Sequence, residues 1–90
     1  MEKTDGDSMY WVYVLESEIE RGSFYIGSSA DPDHRLRSHN AGRVRSTKGR
    51  RPWRRVLLEE HLDRSSAEKR ERYLKSGYGR RWLKRRLESD

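Results

Sequence analysis

Five side chains in this sequence have the chemistry to handle a phosphate group: two phenols, a guanidinium, an imidazole and a carboxylate. Tyr13 and Tyr25 lie in segments rich in aromatic and β-branched residues, and Arg35 and His39 lie four residues apart in a helix-like segment. Residues at that spacing share one face of a helix. A guanidinium binds phosphate oxygens, whereas phenol, imidazole and the carboxylate of Glu71 can move protons or bind a cation.

Each of these residues also has a structural interpretation. Paired tyrosines are good strand formers, and a lone histidine or an exposed arginine is commonly a packing or surface residue. Glu71 falls between Ala67 and Leu74 on an apolar stripe that continues to Tyr78. A carboxylate at a core-facing position costs several kcal/mol unless a cation or hydrogen bonds compensate. Glu71 is therefore either paired with Lys75 one turn later or a metal ligand at the base of a cleft.

Three segments have the composition of β-strands: YWVYVLE at 10–16, SFYIGSS at 23–29 and WRRVLLEEH at 53–61. The first two predict a hairpin. Pairing Leu15 with Ser23 leaves a seven-residue connection and places Tyr13 opposite Tyr25. Because strand side chains alternate between faces, the two phenol rings would then lie side by side. The other face would carry Val12, Val14, Phe24 and Ile26.

Three helices are predicted, the first from about residue 32 to residue 41. Their boundaries are residues with capping or chain-breaking chemistry: Asp31, Pro32 and Gly42 for the first helix, Ser65 and Gly77 for the second. A last short helix places Leu83 and Leu87 on one face. The segment GRVRSTKGRRP between the first helix and the third strand predicts an exposed loop. The order β-β-α-β-α-α predicts an α+β domain, with a three-stranded antiparallel sheet flanked by helices.

The distribution of charge is more informative than the net charge of +6. Residues 1–33 hold eight acidic and two basic side chains, whereas residues 34–90 hold seven acidic and nineteen basic ones. Seven Lys or Arg residues and no acid lie between positions 43 and 55, and positions 80–86 hold five more. This concentration favours a polyanion partner, foremost a nucleic acid, over a surface that only aids solubility.

The composition limits the class of protein further. Ninety residues, 31% hydrophobic and 40% charged, make one small domain whose modest core depends on large aromatic rings. The absence of Cys excludes disulfides and thiolate metal sites, and no apolar run approaches the roughly 20 residues of a membrane span. We expect residues 1–8 to be a flexible tail, residues 9–90 to form one monomeric domain, and the protein to be cytoplasmic.

Two motifs in the predicted hairpin resemble those of the GIY-YIG nuclease family, in particular its small stand-alone bacterial and archaeal members. WVY at 11–13 stands where the first motif has Gly-Ile-Tyr, and YIG at 25–27 matches the second motif in full. In the next segment, HRLRSHN, Arg35 and His39 match the family's Arg and His positions. Gly27 either lets the strand pass close to the helix or the phosphate backbone, or it ends the strand.

The resemblance continues through the rest of the chain and covers roughly residues 9–87. HNAGRVRSTKGRRPW at 39–53 resembles the family's His-Asn-x-Gly…Thr…Pro-Trp segment, and AEKRERYLKSGYGRRWLK at 67–84 resembles the helix that supplies its metal ligand. In that helix Glu71 and Lys75 match the family's Glu and Lys. The remaining motif residues are expected to be structural: Gly27, Asn40, Gly42, Thr47 and Trp53.

The resemblance implies a nuclease that hydrolyses phosphodiester bonds with one divalent cation, Mg²⁺ or alternatively Mn²⁺, held by Glu71. Hard cations prefer oxygen ligands and keep several waters, so one carboxylate and a substrate phosphate can suffice. Arg35 would hold the scissile phosphate. Tyr13, Tyr25 and His39 would handle protons, and any of the three could be the general base. A tyrosine base would need nearby positive charge to lower its pKa.

The basic residues are expected to bind phosphates that flank the cleaved bond: Arg43, Arg45, Lys48, Arg50, Arg51, Arg54 and Lys75. Such contacts position a strand without reading its sequence, so we expect structure-directed or weakly sequence-specific cleavage, of DNA rather than RNA. One alternative is a nucleic-acid-binding module of the same fold that does not cleave. Another is a basic ribosome-associated or scaffolding protein, in which Tyr13, Arg35 and Glu71 would tolerate substitution.

Overall fold

A computed structural model describes residues 9–88, and the proposed tail at residues 1–8 lies outside this range. The order of elements confirms the predicted β-β-α-β-α-α arrangement of a small α+β domain, and the third strand has the predicted bounds. The elements are β1 (Tyr10–Ser17), β2 (Phe24–Ser29), α1 (Pro32–Asn40), β3 (Trp53–His61), α2 (Arg64–Lys75) and α3 (Gly77–Glu88), with one 3₁₀ turn at Lys48–Arg50.

The three strands form one antiparallel sheet in the order β2-β1-β3. β1 is the central strand and is buried from Val12 to Ser17. On one face of the sheet, Val12, Val14 and Ile26 pack with residues of α2 and α3. On the other face, Tyr13 and Leu15 pack with Trp53, Tyr25 and the Leu36 side chain of α1. The sheet is therefore covered by helices on both sides.

The register of the hairpin differs from the predicted one by two residues. Leu15 pairs with Tyr25, and Tyr13 pairs with Gly27, where the sequence suggested pairing with Tyr25. The two strands stay paired closer to the turn than predicted, because side-chain hydrogen bonds hold a shorter turn in place. The Ser17 hydroxyl accepts the backbone N–H groups of residues 19 and 20, and the Glu16 carboxylate accepts that of residue 22. A shift of two preserves the facing of every side chain.

Two predictions about α2 are wrong. Asp63, not Ser65, caps its N-terminus, with a carboxylate oxygen that accepts the Ser66 N–H at 2.8 Å. An Asp carboxylate is as good a cap as a Ser hydroxyl, so residue type alone did not decide between them. Tyr78 does not extend the apolar stripe, because α2 ends at Lys75 and Tyr78 is an exposed residue of α3.

The segment between α1 and β3 is not the wholly exposed loop that was predicted. Its residue Thr47 is fully buried, and the backbone carbonyl of Thr47 accepts the indole N–H of Trp53 at 2.9 Å. Asn40, at the end of α1, donates to the Trp53 carbonyl at 3.0 Å and accepts the Trp53 N–H at 2.6 Å. Gly42 turns the chain with a φ of +79°. These bonds attach the loop to the sheet.

Candidate active site

A buried hydrogen bond joins Tyr13 of the central strand to His39 of α1. The phenol oxygen of Tyr13 lies 3.3 Å from Nε2 of His39, and both side chains are almost wholly inaccessible. Nδ1 of His39 lies 2.8 Å from the hydroxyl oxygen of the buried Thr47. That hydroxyl lies in turn 3.2 Å from the backbone carbonyl of Val44, to which it donates. Four groups thus form one chain of hydrogen bonds.

This chain favours one tautomer of His39. A hydroxyl has one hydrogen, and when Thr47 donates it to the Val44 carbonyl, the hydroxyl oxygen accepts the hydrogen on Nδ1 of His39. Nε2 then carries a lone pair that accepts the phenol hydrogen of Tyr13. Burial, together with the charge of Arg35, lowers the pKa of His39 to about 4. The ring is therefore neutral at pH 7 and is arranged as a proton acceptor.

Tyr25 and Arg35 complete the cluster around this pair. The Tyr25 ring lies with its centroid 4.6 Å from that of His39 and 6.2 Å from that of Tyr13. The Arg35 guanidinium interacts with both phenols, above all with Tyr13, which raises the pKa of Arg35. Burial raises the pKa of Tyr13, an effect that Arg35 opposes. Tyr13 is therefore protonated at neutral pH, next to a permanent positive charge.

Gly27 makes room for the Tyr13 phenol. A Cβ atom at this position would lie 2.6 Å from the phenol oxygen of Tyr13 and 3.1 Å from Cε2 of Tyr25. Real Cβ atoms essentially never come within 3.0 Å of another group, so the contact with Tyr13 would force a shift, and the contact with Tyr25 would also be tight. β2 continues past Gly27 to Ser29, so the interpretation that Gly27 ends the strand is wrong. The group that lies close to Gly27 is the Tyr13 phenol of the neighbouring strand β1.

Glu71 joins α2 to the edge of the sheet close to this cluster. Its carboxylate accepts the Ser28 hydroxyl at 2.7 Å and the Lys75 ammonium at 2.7 Å, with 20% of the side chain exposed. Its negative charge reaches Tyr13 and contributes to that residue's raised pKa. The predicted pairing with Lys75 is thus present, and Glu71 faces the sheet as predicted. The matched surface carboxylate Glu68 pairs instead with Arg64, at 2.9 Å.

The Glu71 carboxylate is suited to a largely hydrated cation. Within residues 9–88, no group of three or more His, Cys, Asp or Glu side chains is placed to hold a metal ion. A carboxylate accepts about four hydrogen bonds or metal contacts, and Ser28 and Lys75 use two of those on Glu71. Mg²⁺ commonly binds through one or two carboxylates, waters and substrate phosphates, so the donor set fits such a cation.

The predicted nucleic-acid-binding residues fall into two groups. The side chains of Arg43, Arg45 and Lys48 are exposed and make no hydrogen bond or ion pair with other residues in the range 9–88. The others bind the protein itself. Arg50 donates to Ser23 and lies over the Trp53 ring, Arg51 donates to the Lys48 carbonyl, Arg54 pairs with Glu16, and Lys75 pairs with Glu71.

Two contacts of the site were not predicted from the sequence. The sequence motif predicts a structural role for Thr47, yet its hydroxyl is a hydrogen-bond partner of the His39 ring. The sequence motifs assign no role to Ser28, although its hydroxyl bonds Glu71 to β2. The segment Ser28-Ser29 directly after the YIG motif is the available signal, because polar side chains at the end of a buried strand have few other partners. The structure brings Tyr13, Tyr25, Arg35 and His39 together as predicted.

The fold and this cluster define a small α+β domain with a polar site suited to phosphate chemistry. Residues 9–86 match the profile of the GIY-YIG catalytic domain, and the chain belongs to the GIY-YIG family. In the described part of the chain, no helix has the length and apolar character needed to cross a membrane.

The chain is also similar to curated proteins named structure-specific endonuclease subunit SLX1. It is 53% identical to the protein of Scheffersomyces stipitis over 57 residues, which is 57% of this chain and 17% of that protein. It is 49% identical to that of Meyerozyma guilliermondii over 59 residues, or 59% and 20% of the two chains. With that of Candida glabrata it shares 38% identity over 82 residues, or 83% and 26%. The chain thus spans about a fifth of these relatives.

Proposed function

We propose that this domain is an endonuclease that hydrolyses phosphodiester bonds in DNA, on substrates selected by their structure. Membership of the GIY-YIG family and similarity to proteins named structure-specific endonuclease subunits support this assignment. The observation that carries it is the buried Tyr13–His39 hydrogen bond next to Arg35. A proton acceptor is there combined with a phosphate-binding cation, which are two requirements of phosphodiester hydrolysis.

Substrate binding at Arg35 would prepare the proton acceptor. Arg35 is one of two causes that keep the pKa of His39 low, the larger being burial. A phosphodiester held by the guanidinium would neutralise that charge, so His39 would become more basic when substrate is present. The interaction of Arg35 with the phenols of Tyr13 and Tyr25 would hold the bound phosphate close to both. His39 would thereby be a stronger proton acceptor when the substrate is bound than when it is absent.

The attacking water would lose its proton through Tyr13. The phenol oxygen takes a proton from water as the phenol's own proton passes to Nε2 of His39, so Tyr13 stays neutral overall. The water oxygen forms a bond to phosphorus while the bond from phosphorus to the leaving sugar oxygen breaks. His39 then holds the proton, with its Nδ1 hydrogen still donated to Thr47. The leaving oxygen takes up a proton from solvent.

Glu71 would hold a divalent cation, Mg²⁺ or Mn²⁺, together with water and a phosphate oxygen. When bound, such a cation supplies stabilisation of the negative charge that develops on the phosphate and the leaving oxygen. Ser28 would keep the carboxylate oriented, since its hydroxyl donates to one carboxylate oxygen at 2.7 Å. Lys75, which pairs with the other oxygen, would supply a further positive charge next to the bound phosphate.

The exposed basic residues Arg43, Arg45 and Lys48 would contact the flanking phosphates. The loop that carries them is tied to the site, because Thr47 of the same loop bonds His39. Their side chains have no partner among residues 9–88 that would compete with a phosphate. Such contacts make binding dependent on salt concentration and nearly independent of base sequence.

The test compares Glu71→Gln with Glu68→Gln, two substitutions of the same type on one helix. Cleavage of labelled linear, nicked, flapped and branched DNA is measured with added Mg²⁺ and with a chelator. We expect wild type and Glu68→Gln to cleave in Mg²⁺ only, and Glu71→Gln to lose at least about 10²-fold in rate. Wild-type protein that binds all of these DNAs and cleaves none would instead establish the non-cleaving module.

A further inference from the structure

A second concave surface lies beside the candidate active site, between α3 and the end of the sheet at which β2 and β3 begin. This groove, called the α3 groove, has a volume of about 970 Å³. Its floor is formed by five apolar side chains: Phe24, Ile26, Val56, Leu83 and Leu87. Phe24, Val56 and Leu87 are only partly buried, so part of their surface remains open. None of these residues has a role in the proposed chemistry.

The rim of the α3 groove is strongly basic. Six cationic side chains line it, against the two carboxylates of Glu16 and Glu88. The Glu16 carboxylate is already engaged: it accepts the Gly22 N–H at 2.8 Å and lies 3.4 Å from two guanidinium groups. The cations of the rim are Arg21, Arg54, Arg55, Lys75, Arg80 and Lys84. The excess of positive charge on the rim is complementary to a polyanion. It does not suit a neutral ligand or a peptide with few acidic residues.

The groove is continuous with the candidate active site. Two residues that line the groove also contact the site: the Tyr25 ring contacts His39, and the Lys75 ammonium pairs with Glu71. From Lys75 the rim continues along α3 through Arg80, whose side chain donates to the Lys75 carbonyl at 3.0 Å, and through Lys84 one turn later. A strand leaving the site would therefore meet a row of cations.

The apolar floor distinguishes between two forms of nucleic acid. A duplex presents phosphates and sugars outward and keeps its base faces stacked inside, so it would leave the floor unused. An unpaired strand can place its phosphates on basic residues and its bases on aromatic and apolar side chains, as in known single-strand grooves. Phe24 supplies an aromatic ring at this floor.

We infer that the α3 groove binds an unpaired nucleic-acid strand that leaves the cleaved duplex. This inference rests on the proposed function, which it extends by naming the feature that makes the domain selective for structure. Basic rim residues such as Arg80 and Lys84 hold the phosphates, and Phe24 contacts the bases. A junction between paired and unpaired DNA thereby occupies both the site and the groove, whereas a blunt duplex occupies the site alone.

The first test compares binding of two DNAs, a blunt duplex and the same duplex with an arm of about ten unpaired thymidines. Lys84→Gln should weaken binding of the armed duplex about fivefold and lower its salt slope by about 0.7, with under about twofold change for the blunt duplex. Lys69→Gln, an equal change of charge on an exposed α2 residue outside the groove, should alter neither. Equal weakening of both DNAs by Lys84→Gln, or no weakening of either, would overturn the inference.

The second test locates the arm directly. An arm containing 5-iododeoxyuridine is irradiated in complex with the protein, and the crosslinked peptide is identified by mass spectrometry. We expect attachment at Phe24, and attachment only within residues 43–55 would overturn the inference. Both tests use the Glu71→Gln protein without metal, so they need no cleavage. If the arm does not bind the groove, wild-type protein can still cleave DNA. If wild-type protein does not cleave DNA, the binding of the arm to the groove can still be measured.

Discussion

The two faces of one sheet differ in nearly every physical respect, although the same strand supplies both. Toward α2 and α3, Val12, Val14 and Leu74 belong to an apolar cluster. Toward α1, Tyr13 and His39 are as deeply buried, yet they carry hydrogen-bonding and titratable groups. Because strand side chains alternate, successive residues of β1 belong to different regions. One face mainly stabilises the fold, and the other holds Tyr13, His39 and their neighbours, while Glu71 of α2 reaches the site at the edge of the sheet through Ser28.

The comparison shows how a small domain can bury polar groups at low cost. On the α1 face the buried side chains of Tyr13, His39 and Thr47 form a chain of partners: phenol with imidazole, imidazole with hydroxyl, and hydroxyl with the Val44 carbonyl. A buried polar group that lacks a partner costs about 1–3 kcal/mol, whereas a satisfied one costs little. The free energy that stabilises the fold therefore has to come from burial of side chains on the apolar face.

The largest expected effect on the fold comes from the apolar face. Leu74 is fully buried, so Leu74→Ala should lower the free energy of unfolding by about 2–5 kcal/mol. Urea denaturation measures this loss, and cleavage per folded molecule should stay near the wild-type value. A stable Leu74→Ala protein with impaired cleavage would mean that the two faces are not separate in function.

The next effect is a dependence of stability on pH that arises from the α1 face. The pKa of His39 is about 4 in the fold and near 6.5 in an unfolded chain, so only the unfolded state takes up the proton between these values. Stability from this group is complete above pH 6.5 and falls by about 3 kcal/mol as pH drops to 4. The difference between wild type and His39→Gln in urea denaturation at several pH values isolates it. Equal pH dependence in the two proteins would contradict the burial of a neutral ring.

Thr47→Val tests the orientation of that ring. The substitution keeps the shape and removes the hydroxyl, so the Nδ1 hydrogen of His39 loses its acceptor at a cost of about 1–3 kcal/mol. Nitrogen chemical shifts of the His39 ring should report the Nδ1-protonated form in wild type and a mixture in Thr47→Val. Thr47→Ser should restore the wild-type spectrum. An unchanged tautomer in Thr47→Val would show that Thr47 only fills space.

The smallest effects are expected in the basic loop, outside both faces. Replacing Arg43, Arg45 or Lys48 singly by Gln should weaken binding to duplex DNA a few-fold, independent of sequence, and lower the salt slope by about 0.9 for each lost phosphate contact. Lys69→Gln serves as the control of equal charge. Binding that does not respond to salt concentration at all would argue against phosphate contacts by this loop.

The same comparison explains what could be predicted from the sequence. Alternation was enough to place Tyr13 and Tyr25 on one face of the sheet, and the four-residue spacing to place Arg35 and His39 on one face of α1, because both are local rules. That these two faces meet was implied by the resemblance to the GIY-YIG family. The register could not be obtained in this way, since it depends on how Ser17 and Glu16 bond the turn. The roles of Gly27, Ser28 and Thr47 depend on contacts between distant segments, which no local pattern encodes.

The most direct measurement of the central claim is the single-turnover cleavage rate of Tyr13→Phe at saturating substrate, with the Kd measured in parallel. Tyr73→Phe, which removes a phenol hydroxyl from an exposed position on α2, is the matched control. The account predicts that Tyr13→Phe folds, binds DNA with an unchanged Kd, and cleaves about 10²–10⁴-fold more slowly, while Tyr73→Phe cleaves like wild type. A Tyr13→Phe protein that cleaves at the wild-type rate would contradict it.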